Sequence, residues 1–168
     1  DLRMSRGLGD VYKRQYFQEI DKVKGQKGVL SVEKKLFVET NNGTNRQIRP
    51  VTPEQPLRIG DKVIVRLTIR TDREMNYVFL KDLRAGCFEP ADQLSGPESR
   101  DGIWYYRSPK DVSENFFINR LPEGTFVLEY PVYVSRSGEY AGGISTIQCM
   151  YAPEFVSHTA GESLRIMP

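Results

Sequence analysis

Apolar side chains recur at every second position along much of this chain, and that period favours strands with one buried face. Lys62–Arg70 places Val63, Val65, Leu67 and Ile69 on one side, with Lys62, Arg66, Thr68 and Arg70 on the other. Thr125–Val134 repeats the pattern. Phe126, Leu128, Tyr130, Val132 and Val134 point inward there, and Val127, Glu129, Pro131 and Tyr133 outward. Leu30, Val32, Leu36 and Val38 share a parity across Leu30–Thr40, and Gln47–Val51 is a shorter candidate. Tyr77–Asp82 is apolar on both parities, as suits a central strand. Ile103–Arg107 and Glu114–Asn119 read as an aromatic-rich pair. Ile144–Tyr151 puts Ile147, Cys149 and Tyr151 on one face.

Turn residues punctuate these runs. Asn41-Asn42-Gly43-Thr44 suits a tight turn, because Asn-Gly tolerates positive φ. Gly60-Asp61, Gly96-Pro97, Asp101-Gly102, Pro122-Glu123-Gly124, Ser137-Gly138 and Gly142-Gly143 break the chain elsewhere. About seven or eight short strands with such spacing predict an all-β fold, an antiparallel β-sandwich. Pro131 lacks an N–H, so its strand is expected to be an edge or irregular at that point. Tyr16–Val23 is a two-turn helix candidate.

The 168 residues suffice for one core without covalent staples, and no run of eighteen apolar residues encodes a helical membrane span. Residues 1–15 read as a non-native tail. Asp10-Val11-Tyr12-Lys13-Arg14-Gln15 is the translation of a transposon-end adapter used in sequencing libraries. Residues 16–27 read as a linker or the end of a preceding domain, and 28–168 as the sandwich. The tail carries Arg3, Arg6, Lys13 and Arg14 against Asp1 and Asp10. The whole chain has 24 basic and 22 acidic residues, which leaves 20 of each after residue 15. No basic surplus supports nucleic-acid binding, because phosphate neutralisation needs one.

Reactive chemistry is thinly supplied. Cys87, Cys149 and a single histidine, His158, cannot complete a structural zinc site, so neither metal nor cofactor is expected. His158 lies among polar residues ahead of a glycine and reads as a solvated loop side chain, not the base of a nucleophile. No Gly-x-Ser-x-Gly elbow occurs. The two thiols leave two readings open. They are small buried hydrophobes, or they form a disulfide if their Cα atoms approach within about 7 Å. Trp104-Tyr105-Tyr106 and Phe116-Phe117 are expected to split by parity between core and sheet surface.

Three blocks carry a family resemblance. The first is Pro56-Leu57-Arg58-Ile59-Gly60-Asp61-Lys62-Val63 leading into Val65–Ile69. The second is Asp82-Leu83-Arg84-Ala85-Gly86-Cys87-Phe88-Glu89-Pro90. The third is Leu121-Pro122-Glu123-Gly124-Thr125-Phe126, followed by Gln148-Cys149-Met150-Tyr151-Ala152-Pro153-Glu154. Across about residues 28–166 the chain resembles the C-terminal, receptor-binding-type domain of bacterial alpha-2-macroglobulin-like proteins, closest to a Bacteroidetes-type branch. Arg84 departs from the pattern, where relatives often carry Pro. Gly86-Cys87-Phe88-Glu89-Pro90 only faintly echoes the thioester sequence Gly-Cys-Gly-Glu-Gln, so Cys87 is not read as a thioester cysteine.

The resemblance implies an immunoglobulin- or fibronectin-like sandwich with no catalytic residues of its own, belonging to a large cell-envelope protein that traps proteases. Its partners would be the upstream domains of the same polypeptide and, through the whole protein, target proteases. The motif residues Gly86, Phe88, Glu89, Pro90, Met150, Tyr151, Pro153 and Glu154 are expected to be structural. Ala85–Pro90 and Met150–Phe155 each hold an aromatic, a Glu and a Pro, and they are expected to pack together at one end, Phe88 against Tyr151. The alternative is a carbohydrate-binding or adhesion module, which predicts exposed Trp104 and Tyr106 in a groove. An enzyme domain is the third possibility, and it would need convergent titratable groups in a concave site.

Overall fold

The computed structural model describes residues 28–91, 95–100 and 102–168. The tail at 1–15 and the helix candidate Tyr16–Val23 lie outside the described residues. Five strands, β1 (Leu30–Asn42), β2 (Asn45–Pro50), β4 (Lys62–Thr71), β6 (Phe88–Pro90) and β10 (Gly124–Val134), form one sheet in the order β2-β1-β4-β10-β6. Six more, β5 (Met75–Leu83), β7 (Gly96–Arg100), β8 (Ile103–Pro109), β9 (Ser113–Leu121), β12 (Ser145–Cys149) and β13 (Val156–His158), form a second in the order β13-β12-β5-β9-β8-β7. A small third sheet holds β11 (Gly138–Ala141), β14 (Ser163–Met167) and β3 (Leu57–Arg58). Among the described residues only β14 and β3 pair in parallel. The chain is therefore an all-β sandwich. It has more strands than expected because β3, β6, β11 and β13 run only two to four residues. Strands that short carry no readable period.

The alternation places the core as expected. Val63, Val65, Leu67 and Ile69 of β4 and Leu128, Tyr130, Val132 and Val134 of β10 are buried. From the second sheet, Val78, Leu80, Phe116, Ile118 and Ile147 meet them. Phe116 and Tyr130 touch across the two layers with ring centroids 6.1 Å apart. Fully burying an aliphatic or aromatic side chain of this size contributes roughly 1.5–3 kcal/mol before entropy is counted.

Two local expectations are met. Asn42 pairs with Asn45 around a two-residue loop in which Gly43 has φ 68°. Pro131 pairs with Ile64 of β4 on one side, while β6 reaches only Val132–Val134 on the other. The Pro131 carbonyl accepts a hydrogen bond from Ala91 N at 3.4 Å, so the missing N–H faces the frayed end of β6.

Two expectations need correction. β12 runs antiparallel to β5, with Cys149 opposite Val78 near the start of β5 and Ser145 opposite Asp82 near its end. Ala85–Pro90 follows the end of β5, so it lies at the opposite pole from Met150–Phe155. Met150 hydrogen-bonds Tyr77, so the stretch from Tyr77 to the end of β5 at Leu83 separates the two loops, about 20 Å at the strand rise. Phe88 instead pairs with Val134. Tyr151 also leaves the face of Ile147 and Cys149, because β12 ends at Cys149 and Tyr151 is 75% exposed. Of the two readings left open for the thiols, the structure has the first: Cys87 and Cys149 are free buried thiols at opposite ends of β5.

Candidate interaction site

Charged residues on inward-facing positions give the sandwich a polar centre. Lys34 shares the parity of Leu30, Val32 and Val38, and its Nζ lies 2.7 Å from Asp82 Oδ1. Lys34 Nζ also donates to the carbonyls of Leu83 and Gly142. Asp82 accepts further hydrogen bonds from Ser145 Oγ at 2.6 Å and from the Tyr130 hydroxyl. Burial, and then the Asp82 carboxylate, push the Tyr130 phenol well above its ordinary pKa. Beside this group, Glu114 is held by Arg84 Nη1 at 3.0 Å and Arg107 Nε at 2.6 Å. Burial raises the Glu114 carboxyl, and Arg107 followed by Arg84 pull it part of the way back. Arg107 reaches Glu98 at 3.5 Å, and Glu98 accepts from the Tyr105 hydroxyl at 3.1 Å.

Asp82 and Glu114 have no solvent exposure. Their oxygens are already engaged, so the arrangement pins the two sheets together and leaves no room for a substrate. Sequence reading overlooked these residues. The available signal was a charge interrupting an apolar parity, as at Lys34 and Asp82.

The motif residues occupy two separate loops. Gly86 packs under Tyr140, a contact a Cβ would make at 3.5 Å. The Cys87 carbonyl accepts from Ser135 N at 2.8 Å, and burial raises the Cys87 thiol. Phe88 is buried, Pro90 half-buried and Glu89 exposed. At the other pole, Met150 N donates to the Tyr77 carbonyl at 2.8 Å, Cys149 N to Phe155 O at 3.0 Å and Phe155 N to Ala152 O at 2.9 Å. Gln148 Nε2 donates to Pro153 O at 3.1 Å, and Arg73 sits over the Phe155 ring at 5.4 Å. This bracing presents Met150 and Tyr151 to solvent, with Pro153 and Glu154 exposed beside them. Tyr77 packs against Tyr151 with ring centroids 4.6 Å apart and planes tilted by 52°, and it has φ 58°, a left-handed conformation costly for a bulky residue.

Two concavities lie on the surface of the described residues. Trp104, 70% exposed, and Tyr106 line a shallow depression of about 420 Å³ with Phe117, Asn119 and Arg120. That is the exposure expected of the carbohydrate-binding alternative. The larger groove, about 910 Å³, is lined by His158, Thr159, Ser163 and Leu57 among others. Neither thiol lines it. The Thr159 hydroxyl accepts from Ser145 N at 2.9 Å, and among the described residues no hydrogen bond joins His158 to a hydroxyl.

Comparison with known proteins places this geometry. A Salmonella alpha-2-macroglobulin mutant, Y1175G, superimposes with TM-score 0.65 at 21% identity, over 84% of this chain and 9% of that one. Escherichia coli alpha-2-macroglobulin activated by porcine elastase gives TM-score 0.65 at 18% identity, over 84% of this chain and 13% of the relative. A Dictyostelium discoideum protein, circularly permutated Ras protein 2, is 28% identical over 109 residues, 65% of this chain and 3% of its own length. The chain thus spans a small fraction of each relative. The family model of the bacterial alpha-2-macroglobulin MG10 domain matches residues 30–154, so the chain belongs to that macroglobulin domain family.

Proposed function

We propose that this chain is a non-catalytic docking module at the C-terminal end of a bacterial protease-trapping macroglobulin of the cell envelope. Residues 28–168 serve as one sandwich whose loops seat against upstream domains of the same polypeptide. Protease capture belongs to the whole protein, and the module helps hold its resting shape. Gly86, Phe88, Glu89 and Pro90 shape the turn into β6 and that strand itself, and Met150, Tyr151, Pro153 and Glu154 shape the docking tip.

The observation that carries this reading is the Met150–Tyr151 tip. Two large apolar side chains stand in solvent on a loop that four hydrogen bonds hold in place. A braced, exposed apolar loop loses little entropy on binding, which favours association with a complementary protein surface. Hydrogen exchange tests it. Amides of residues 149–155 should exchange markedly more slowly in the intact polypeptide than in this 168-residue chain. Equal exchange would reject a docked tip.

A further inference from the structure

We propose that the docking surface extends beyond the tip, across the outer face of the six-stranded sheet as far as Trp104, and that its occupant is another domain of the same polypeptide. The proposal rests on the docking reading of the Met150–Tyr151 loop and specifies the surface that reading leaves open.

The strand register assembles the face. Pro97 pairs with Tyr106, Tyr106 with Phe117, Phe117 with Phe79, Phe79 with Gln148, and Gln148 with Val156. Directly paired residues in antiparallel strands point to the same side. Their intervening neighbours Tyr105, Val78, Ile118 and Cys149 are buried, so this row faces outward. It crosses all six strands, about 24 Å at ordinary strand spacing. Trp104 and Tyr77 stand one step along the same face, and the tilted Tyr77 ring packs on Tyr151. The row is therefore continuous with the tip. None of these side chains is charged, and aromatic residues dominate.

Four points choose the occupant. The row is several sugar rings wide, which suits a folded domain better than a short glycan. Aromatic enrichment with charge depletion is the composition of a protein interface core. Phe79 and Phe117 are already stacked at 4.8 Å, so little side-chain freedom remains to be lost on docking. The relatives are long enough to hold such a partner, since this chain covers only 9% of the Salmonella chain and 13% of the Escherichia coli one.

Maleimide alkylation at two introduced thiols tests the proposal. Ser99 is exposed opposite Trp104, and Glu154 is exposed on the tip. Ser99→Cys and Glu154→Cys are each compared in this chain and in the intact polypeptide, with peptide mass spectrometry locating the label. Unlabelled Cys87 and Cys149 verify that each variant is folded, because both are buried. We expect both introduced thiols to react at least about tenfold more slowly in the intact polypeptide. Adding Trp104→Ala there should restore much of the rate at position 99. Protection at 154 with none at 99 overturns the extended face and leaves the tip standing. No protection at either position removes both readings. Protection at 99 that appears only when soluble peptidoglycan fragments are added overturns the proposal in favour of a glycan site.

Discussion

Lys34 on β1 of one sheet reaches across the sandwich to Asp82 on β5 of the other, with Nζ 2.7 Å from Oδ1. Both occupy positions where alternation calls for an apolar residue, and each accounts for the other. Removing one partner of a buried pair leaves an uncompensated charge and costs about 3–5 kcal/mol. Asp82→Asn and Lys34→Met should each lose about 3 kcal/mol in urea unfolding. Their double variant should lose at least about 1 kcal/mol less than the sum. Strict additivity would mean the two side chains do not communicate.

Arg84 holds the neighbouring connection through both backbone and side chain. Its N–H donates to Val112 O at 2.9 Å, while Nη1 donates to Ser113 O and to Glu114 Oε1, each at 3.0 Å. Arg84→Met keeps the backbone bond and leaves Glu114 with Arg107, so a loss of about 2 kcal/mol is expected. Arg84→Pro also removes the N–H and should lose more than Arg84→Met. Urea midpoints compared at constant m-value measure the difference. Equal losses would show that the bond to Val112 contributes nothing.

Tyr105 links β8 to Glu98, and burial, reinforced by the Glu98 charge and hydrogen bond, pushes its phenol up to about 12 from 10.0. A phenol with a raised folded pKa contributes stability that is fully present below the unfolded value and lost as pH rises through the folded one. The wild type should therefore lose stability relative to Tyr105→Phe between pH 10.0 and about 12. Below pH 10.0 the difference between the two should be constant. Denaturant titrations across that interval check it, and a pH-independent difference would show that the phenol titrates normally.

Strands with a clean period were legible almost to the residue. Lys62–Arg70 is observed as Lys62–Thr71, and Thr125–Val134 as Gly124–Val134. β3 and β6, only two and three residues long, could not be read this way, since their existence depends on partners far along the chain. The placement of the two motif loops failed for a related reason. Similar composition in Ala85–Pro90 and Met150–Phe155 says nothing about strand direction, and the antiparallel pairing of β12 with β5 sends them to opposite poles. The double parity of Tyr77–Asp82 was read as central placement, which β5 has. Its second parity also marked the outer aromatic face through Phe79 and Tyr77. The ionic centre was visible as broken alternation at Lys34 and Asp82, but a break alone names no partner.

Two glycines with similar backbone angles should respond very differently to the same substitution. Gly43 has φ +68° with nothing within 4 Å of an added Cβ. Gly143 has φ +75°, and a Cβ there would stand 2.1 Å from the Leu83 carbonyl oxygen. That carbonyl also accepts from Lys34 Nζ at 3.1 Å, and Leu83 N donates to Ile144 O at 3.0 Å. An alanine at 43 pays only the left-handed conformation, about 1–2 kcal/mol. An alanine at 143 must also part the seam between β5 and the segment entering β12, disturbing Lys34 in the process. Gly143→Ala should therefore lose at least about 2 kcal/mol more than Gly43→Ala in thermal or urea unfolding. Its effect should shrink when Lys34→Met is already present, because part of the disturbance has been made. Equal, small losses at the two positions would mean that the chain does not pass this closely behind Leu83.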